Sequence, residues 1–416
     1  MLMTGKHTGH SSIRGNKSIT QVGVAPLWAS DITLAEAVRK NTDYVTGMSG
    51  RWHLGGELTN QTPYHRGFDY HFGKLSADFP NKQGVMIDLN WDVNGKHLTY
   101  SEYAAKNSEA MFENGKLYNL TPEEQARRPI NMDRLVTDKA KAFIDREKSR
   151  PFFLYVAYSL VHSPMEYHDA TPVEANDWPE AERAFASMLM SLDKYVGEIL
   201  DLVDRLGLGQ KTLVVFSSDN GAHNEGGHDH TFFNSTGEFR GFKRDVYDGG
   251  MHTPLFCRWT GTIKPGSHSD LLSAFWDVMP TVCDLAGAPI PESTDGLSMA
   301  PTLLGKPQTE RHEFLYWEFN ERSDRKRPGA EYKQAVVFDK WKVINYLDAQ
   351  RVELYALAAL EGKDKLGREW VVEQNDLAAK YPELVKRGLL YMAASHIQNP
   401  IFPMTRHERG KEVNGK

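Results

Sequence analysis

The sequence predicts an α/β protein, a doubly wound sheet with helices on both faces, followed by a smaller antiparallel sheet and a closing helix. Amphipathic helical stretches alternate with short β-rich apolar runs through roughly the first 310 residues. Chemically capable residues follow several of those runs directly, where ligands gather in open α/β sheets. Past Gly305 come four short strands separated by turns.

The chain opens on Met1-Leu2-Met3-Thr4-Gly5, which reads as the last turn of a helix with Gly5 as its stop. Residues 31–40 are predicted helical, with Asp31 as N-cap and Leu34, Ala35 and Val38 on one face. A strand at 44–48 runs into Gly50-Arg51-Trp52-His53-Leu54-Gly55, a glycine-flanked loop in which a cation and an imidazole stand two residues apart. Residues 60–130 are polar and turn-rich, without a strong period, and read as surface loops around a site. A helix at 133–148 carries an apolar stripe, and Pro151 ends that element. Phe152–Tyr158 is almost continuously apolar, as expected of a strand covered on both faces, and it delivers His162 at its carboxyl end.

The longest predicted helix, 180–206, keeps a 3.6-residue period from Phe185, Met188 and Leu189 through Val203 and Leu206, all read as core. The run Thr212–Phe216 then empties into Ser217-Ser218-Asp219-Asn220-Gly221. Asp219 and Asn220 place two oxygens over the sheet edge, a donor set suited to a hard cation such as Ca²⁺. The same residues also make an ordinary Asx-type turn. The following loop holds His223, His228 and His230, and is polar enough to meet sugar hydroxyls. No histidine pair there has helical spacing and no cysteine joins them, which argues against zinc. The loop at 239–254 carries a basic cluster including Lys243, a candidate oxyanion binder, and feeds a strand at 255–259. A helix at 276–287 stops at Gly287. Strands at 315–319, 334–338, 341–345 and 352–355 and a helix at 381–396 complete the chain. The boundary is placed near residue 310, giving units 1–310 and 311–416.

Composition sets outer limits. With 40% hydrophobic and 25% charged residues, the 416-residue chain has an ordinary globular make-up. A net charge of -6 argues against nucleic-acid binding as the main activity. No apolar run is long enough to span a bilayer. Cys257 and Cys283 read as buried thiols without a disulfide framework.

Taken together, these segments resemble the sulfatase family, of the alkaline-phosphatase-like fold. Met3-Thr4-Gly5-Lys6-His7 is similar to the tail of the first sulfatase signature, and Gly50-Arg51-Trp52-His53-Leu54-Gly55 to the second. Val161-His162-Ser163-Pro164, Ser218-Asp219-Asn220-Gly221 and Gly241-Phe242-Lys243 through Gly250 match further blocks in the family's order. The resemblance implies a formylglycine nucleophile, whose hydrate attacks the sulfur of a sulfate ester, and one Ca²⁺ ion. Carried across, Asp219 and Asn220 are metal ligands. Lys243 bridges sulfate and leaving oxygen, His162 is the general acid, and His53 assists breakdown of the sulfated hydrate. Arg51, His223, His228 and Lys243 are the expected substrate contacts.

The nucleophile motif, Cys-x-Pro-Ser-Arg, and the acidic pair that completes the metal site are expected before Met1. The chain as given is therefore expected to be inactive and to bind Ca²⁺ poorly. Arg51 stands where the family has lysine; it keeps the charge but cannot release a proton. The expected partner is a sulfated glycan or small molecule such as an aryl sulfate, and the expected location is periplasmic or secreted. The alternatives are an inactive sulfatase-like binding protein and a phosphoesterase of the same superfamily.

Overall fold

The computed structural model describes residues 1–15, 18–19, 23–56, 59–75, 91–93, 96–98, 111–119, 121, 123–124, 132–167, 177–319, 332–358, 373–405 and 407–410. Much of the 60–130 stretch expected as loops lies outside these residues. Helix α1 is Leu34–Asn41. Its cap is Thr33 and not Asp31, because Thr33 Oγ1 accepts the Glu36 N–H at 3.1 Å while Glu36 Oε2 accepts the Thr33 N–H at 2.7 Å. That reciprocal capping box satisfies two otherwise orphaned donors. Asp31 is buried and accepts instead from Lys6 Nζ at 2.8 Å and the Trp28 N–H at 2.9 Å.

Strands β1 (Val45–Gly50), β2 (Tyr70–Gly73), β3 (Phe112–Glu113) and β4 (Lys116–Leu117) precede helix α2 (Met132–Glu147) and strand β5 (Phe152–Ala157). They form one sheet in the order β4-β3-β2-β1-β5. β1 runs parallel to β2 and β5, whereas β3 and β4 are antiparallel additions. β2 corrects the reading of 60–130 as loops. All four of its residues, Tyr70-His71-Phe72-Gly73, are buried, and a histidine in so short a run hid the pattern.

Side chains of β5 alternate between two covers, as the pleat requires. Phe153 and Tyr155 pack with Met48, Trp52 and Phe68, on the side of α1. Phe152, Leu154 and Val156 pack with Leu135, Val136 and Phe143, on the side of α2. Among the described residues β5 is the sheet's margin and only half-buried, so its cover is thinner than its apolar run suggests. Helix α3 (Glu180–Arg205) lies on α2 through Ile144, Leu202 and Val203. Leu189, read as core, is 50% exposed; the inward stripe there is Phe185 and Met188.

Strands β6 (Val214–Ser217) and β7 (Leu255–Arg258) pair antiparallel, with Val214 opposite Arg258 and Ser217 opposite Leu255. Among the described residues this pair is not hydrogen-bonded to the five-stranded sheet. Helix α4 (Val278–Ala286) ends at Gly287, whose φ of 72° is the left-handed conformation of a helix stop. Strands β8 (Leu315–Phe319), β9 (Lys333–Phe338), β10 (Trp341–Tyr346) and β11 (Arg351–Ala356) make an antiparallel meander, and helix α5 (Pro382–Ser395) follows. One face of that sheet packs on Met392 of α5 through Val336, Phe338 and Val343. The other packs Ala335, Ile344 and Tyr346 on Val246 and Tyr247, just past Lys243. The architecture is thus an α/β body with a smaller C-terminal antiparallel sheet and a closing helix, as expected. Among the described residues no helix is long and apolar enough to cross a membrane.

Candidate active site

The site begins where β1 and β5 end side by side. Gly50 pairs with Ala157, and the Arg51 N–H donates to the Ala157 carbonyl at 2.9 Å. Parallel pairing therefore brings the Arg51-Trp52-His53 loop and the His162 loop off one sheet edge. Trp52 is buried, its Nε1–H bonded to the Gln61 carbonyl, and it anchors the loop. His53 follows with φ of 57°, its N–H held by the Leu75 carbonyl at 3.0 Å.

His162 is half exposed. Its Nδ1–H donates to the Ser163 carbonyl at 2.7 Å, which leaves Nε2 on the other side of the ring, 3.9 Å from Glu225 Oε2. That orientation suits an imidazole that exchanges a proton through Nε2. Burial holds its pKa below the ordinary imidazole value, and the charges of Lys243 and Arg51 push the same way.

The loop after β6 is stapled by its own turn. Ser218 Oγ donates to the Asn220 carbonyl at 2.9 Å, and Asn220 Nδ2 donates to the Gly221 carbonyl at 2.9 Å. The Asn220 amide oxygen makes no hydrogen bond among the described residues. Asp219 is exposed and its carboxylate also accepts none there. A side chain at Gly221 would lie 1.8 Å from the Gly249 carbonyl oxygen, so only glycine lets the 219–221 turn approach the 249–250 segment. Burial pushes the Tyr155 phenol up to about 12, and the Asp219 charge adds to the rise.

Lys243 sits across from this turn, its N–H bonded to the Ala222 carbonyl at 2.7 Å. Its Nζ donates to Glu225 Oε2 at 2.9 Å, and Arg244 Nη1 donates to Glu225 Oε1 at 2.5 Å. Burial works against the Glu225 charge, but these two cations outweigh it and hold the carboxyl down to about 2. Glu225 and Arg244 were not singled out from the sequence. The available signal was an acid inside the histidine loop and a second cation beside Lys243.

His223 and His228, expected as substrate contacts, are both held by partners within the protein. His223 Nε2–H donates to the Val161 carbonyl at 2.9 Å and Nδ1 accepts the Glu225 N–H at 3.1 Å, so both ring nitrogens are engaged. It ties the His162 loop to the Glu225 loop. His228 is buried, bonded through Nδ1 to Glu182 Oε2 at 2.6 Å and stacked on Phe185 at 3.7 Å. Packing against α3 turned both rings inward. The structure therefore groups Arg51, His162, Lys243, Arg244 and Glu225, with Asp219 beside Tyr155.

A sulfatase family model matches residues 1–288, more than half of the chain. The chain belongs to the sulfatase family. A model of the C-terminal part of N-sulphoglucosamine sulphohydrolase matches residues 237–378. The sulfatase chain is 31% identical to arylsulfatase G of Rattus norvegicus over 74% of its length, and it spans only 59% of that relative. It is 26% identical to N-acetylgalactosamine-6-O-sulfatase of Bacteroides thetaiotaomicron, covering 85% of this chain and 75% of the relative. The fold is similar to that of Ps i-CgsB solved with k-i-k-neocarrahexaose, with TM-score 0.73 at 21% identity, over 99% of this chain and 84% of that one. It is also similar to a protein solved with its substrate D-glucosamine-2-N,6-O-disulfate, with TM-score 0.63 at 18% identity, over 95% and 86%.

Proposed function

We propose that this sulfatase-family chain hydrolyses sulfate esters of a carbohydrate. One observation carries the reading: Lys243 and Arg244 converge on a single carboxylate, Glu225, beside the Nε2 of His162. Cations fixed around an anion before substrate arrives are what a transferring sulfuryl group requires. Glu225 keeps that cluster ordered, and a sulfate oxygen competes with it for Lys243.

His162 is the proton donor to the leaving alcohol. Its Nδ1–H bond to Ser163 fixes the ring and presents Nε2. Arg51 lies near enough to His162 to lower its pKa, and it contributes positive charge with no proton to give. Asp219 and Asn220 fit a hard divalent cation, because one carboxylate and one outward amide oxygen are hard donors not engaged elsewhere among the described residues. Ca²⁺ held by Asp219 and Asn220 would supply charge neutralisation to the sulfate, and the attacking group implied by the family would be a formylglycine. His53, in the loop after β1, is assigned a part in breakdown of the sulfated intermediate by the family resemblance alone. The carbohydrate assignment draws on the glycan-acting relatives, as does a periplasmic or secreted location.

The test assays the protein as its gene encodes it on a sulfated sugar and on an activated aryl sulfate. His162→Ala is expected to lose ~10²–10⁴-fold on the sugar sulfate and far less on the aryl sulfate, whose leaving group hardly needs an acid. Equal losses on both would remove the acid role. Binding without turnover would mark a sulfated-glycan binder instead.

A further inference from the structure

A second cluster of ligand-type side chains stands apart from the residues grouped above. We propose that His7, His10 and Asp295 form a binding site for one divalent transition-metal ion of the zinc class. Their donor atoms all lie within 4.8 Å of one another, the one such group of three or more among the described residues. His10 Nδ1 is 2.7 Å from Asp295 Oδ1, and His7 Nε2 is 3.7 Å from Asp295 Oδ2. The two imidazoles lie nearly alongside, with centroids 4.2 Å apart. Two imidazole nitrogens and one carboxylate oxygen with an open side are the donor set of zinc, cobalt or nickel, and a poor one for Ca²⁺, which prefers six or more oxygens.

The backbone builds the cluster independently of any ion. The Asp295 N–H donates to the Gly5 carbonyl at 2.7 Å, Thr294 Oγ1 donates to the same carbonyl at 2.8 Å, and the His7 N–H donates to Asp295 Oδ2 at 3.0 Å. Loops almost 290 residues apart in sequence are thus zipped together at the cluster. The three residues line a cavity of about 300 Å³ whose other walls include Trp276, Phe314 and Tyr316. Trp276 and Tyr316 present ring edges to His7 at 6.0 and 5.3 Å between centroids. His312, Glu313 and Ser395 complete the wall, and the cavity leaves room for water as a further ligand.

Protonation agrees. Burial takes the His7 pKa down to about 4, so its ring is neutral at pH 7. The His7 Nδ1 accepts the Gly9 N–H at 3.1 Å, which puts the ring proton on Nε2. Metal at Nε2 moves that proton to Nδ1 and ends the Gly9 contact. At His10 the ion replaces the proton shared with Asp295.

The experiment titrates the 416-residue chain with Co²⁺, read by visible absorption, and then displaces Co²⁺ with Zn²⁺. One equivalent is expected, with loss of ~10–100-fold in affinity for His10→Ala and for Asp295→Asn, since even outer partners of metal ligands cost that much. His10 is one-third exposed, so His10→Ala is expected to fold, and circular dichroism of the metal-free variant checks it. Asp219→Ala leaves Co²⁺ binding unchanged, and about a hundredfold excess of Ca²⁺ does not displace it. Absence of a bound equivalent, or equal affinity in parent, His10→Ala and Asp295→Asn, overturns the proposal, as does displacement by Ca²⁺. Because no sulfate ester is present, failure here is separate from failure of the sulfatase reading.

Discussion

His71 shows what burial does to a single titratable group. It lies in the middle of β2, fully buried, with neither ring nitrogen bonded among the described residues. Burial alone takes its pKa down to about 3. The unfolded chain, titrating near 6.5, therefore binds more protons than the folded one between about pH 6.5 and 3. Stability from this residue is full above pH 6.5 and is lost as pH falls through that window. His71→Leu removes the loss, so at pH 5 the variant gains up to about 2 kcal/mol more relative to the parent than it does at pH 8. Urea denaturation at the two pH values measures this. An equal difference at both would mean that the ring is not neutralised by burial. His162 obeys the same physics in a half-exposed position, where neighbouring cations add to desolvation.

At the scale of elements, the ends of helices and strands set where functional groups stand. The Thr33–Glu36 box fixes the start of α1, whose buried face of Leu34, Ala35, Ala37 and Val38 helps cover the central sheet. Thr33 Oγ1 also reaches the Arg66 carbonyl at 2.7 Å, tying the cap to the turn before β2. Thr33→Ala is expected to cost about 1–2 kcal/mol, at the upper end for a cap, because a second hydrogen bond goes with it. A chemical-denaturation midpoint reads it, and Thr33→Ser should restore most of the loss. The β6–β7 pair has the opposite character: Val215 and Leu255 on one face and Phe256 on the other are 40%, 42% and 64% exposed.

Across the whole molecule, the N-terminal segment is bound into the C-terminal sheet by one buried ion pair. Arg14 Nη1 donates to Glu318 Oε1 at 2.6 Å with both side chains fully buried, and it also donates to the Ile397 carbonyl at 2.7 Å. Glu318 Oε2 accepts from Tyr316 at 2.6 Å and faces His396 Nδ1 at 2.7 Å. Arg14→Met leaves Glu318 with only Tyr316 and His396 as partners, and it is expected to cost about 3 kcal/mol, the low end for a broken buried pair. Arg14→Met with Glu318→Gln should recover part of that, since no buried charge then lacks its partner. Thermal unfolding of the three proteins decides it; a double variant as damaged as the single one would contradict the argument.

Much of this protein was legible one residue at a time. The helices at 132–147 and 180–205 and all four strands of the C-terminal meander follow from local period, because their apolar faces repeat at the spacing that the element itself imposes. The blocks around His53, His162 and Asp219 are equally local, since each lies in a loop that follows a strand end, and the Lys243 block is a local basic cluster within a loop. Partners far along the chain were decided elsewhere. β2 is a strand because β1 and β3 flank it, not because Tyr70-His71-Phe72-Gly73 alternates. His223 and His228 face inward because α3 and the His162 loop lie against them. Glu225 meets Lys243 and Arg244, and His10 meets Asp295, only after loops distant in sequence are packed together. Side-chain direction and long-range pairing depend on which surfaces the fold brings into contact, and no local period encodes that choice.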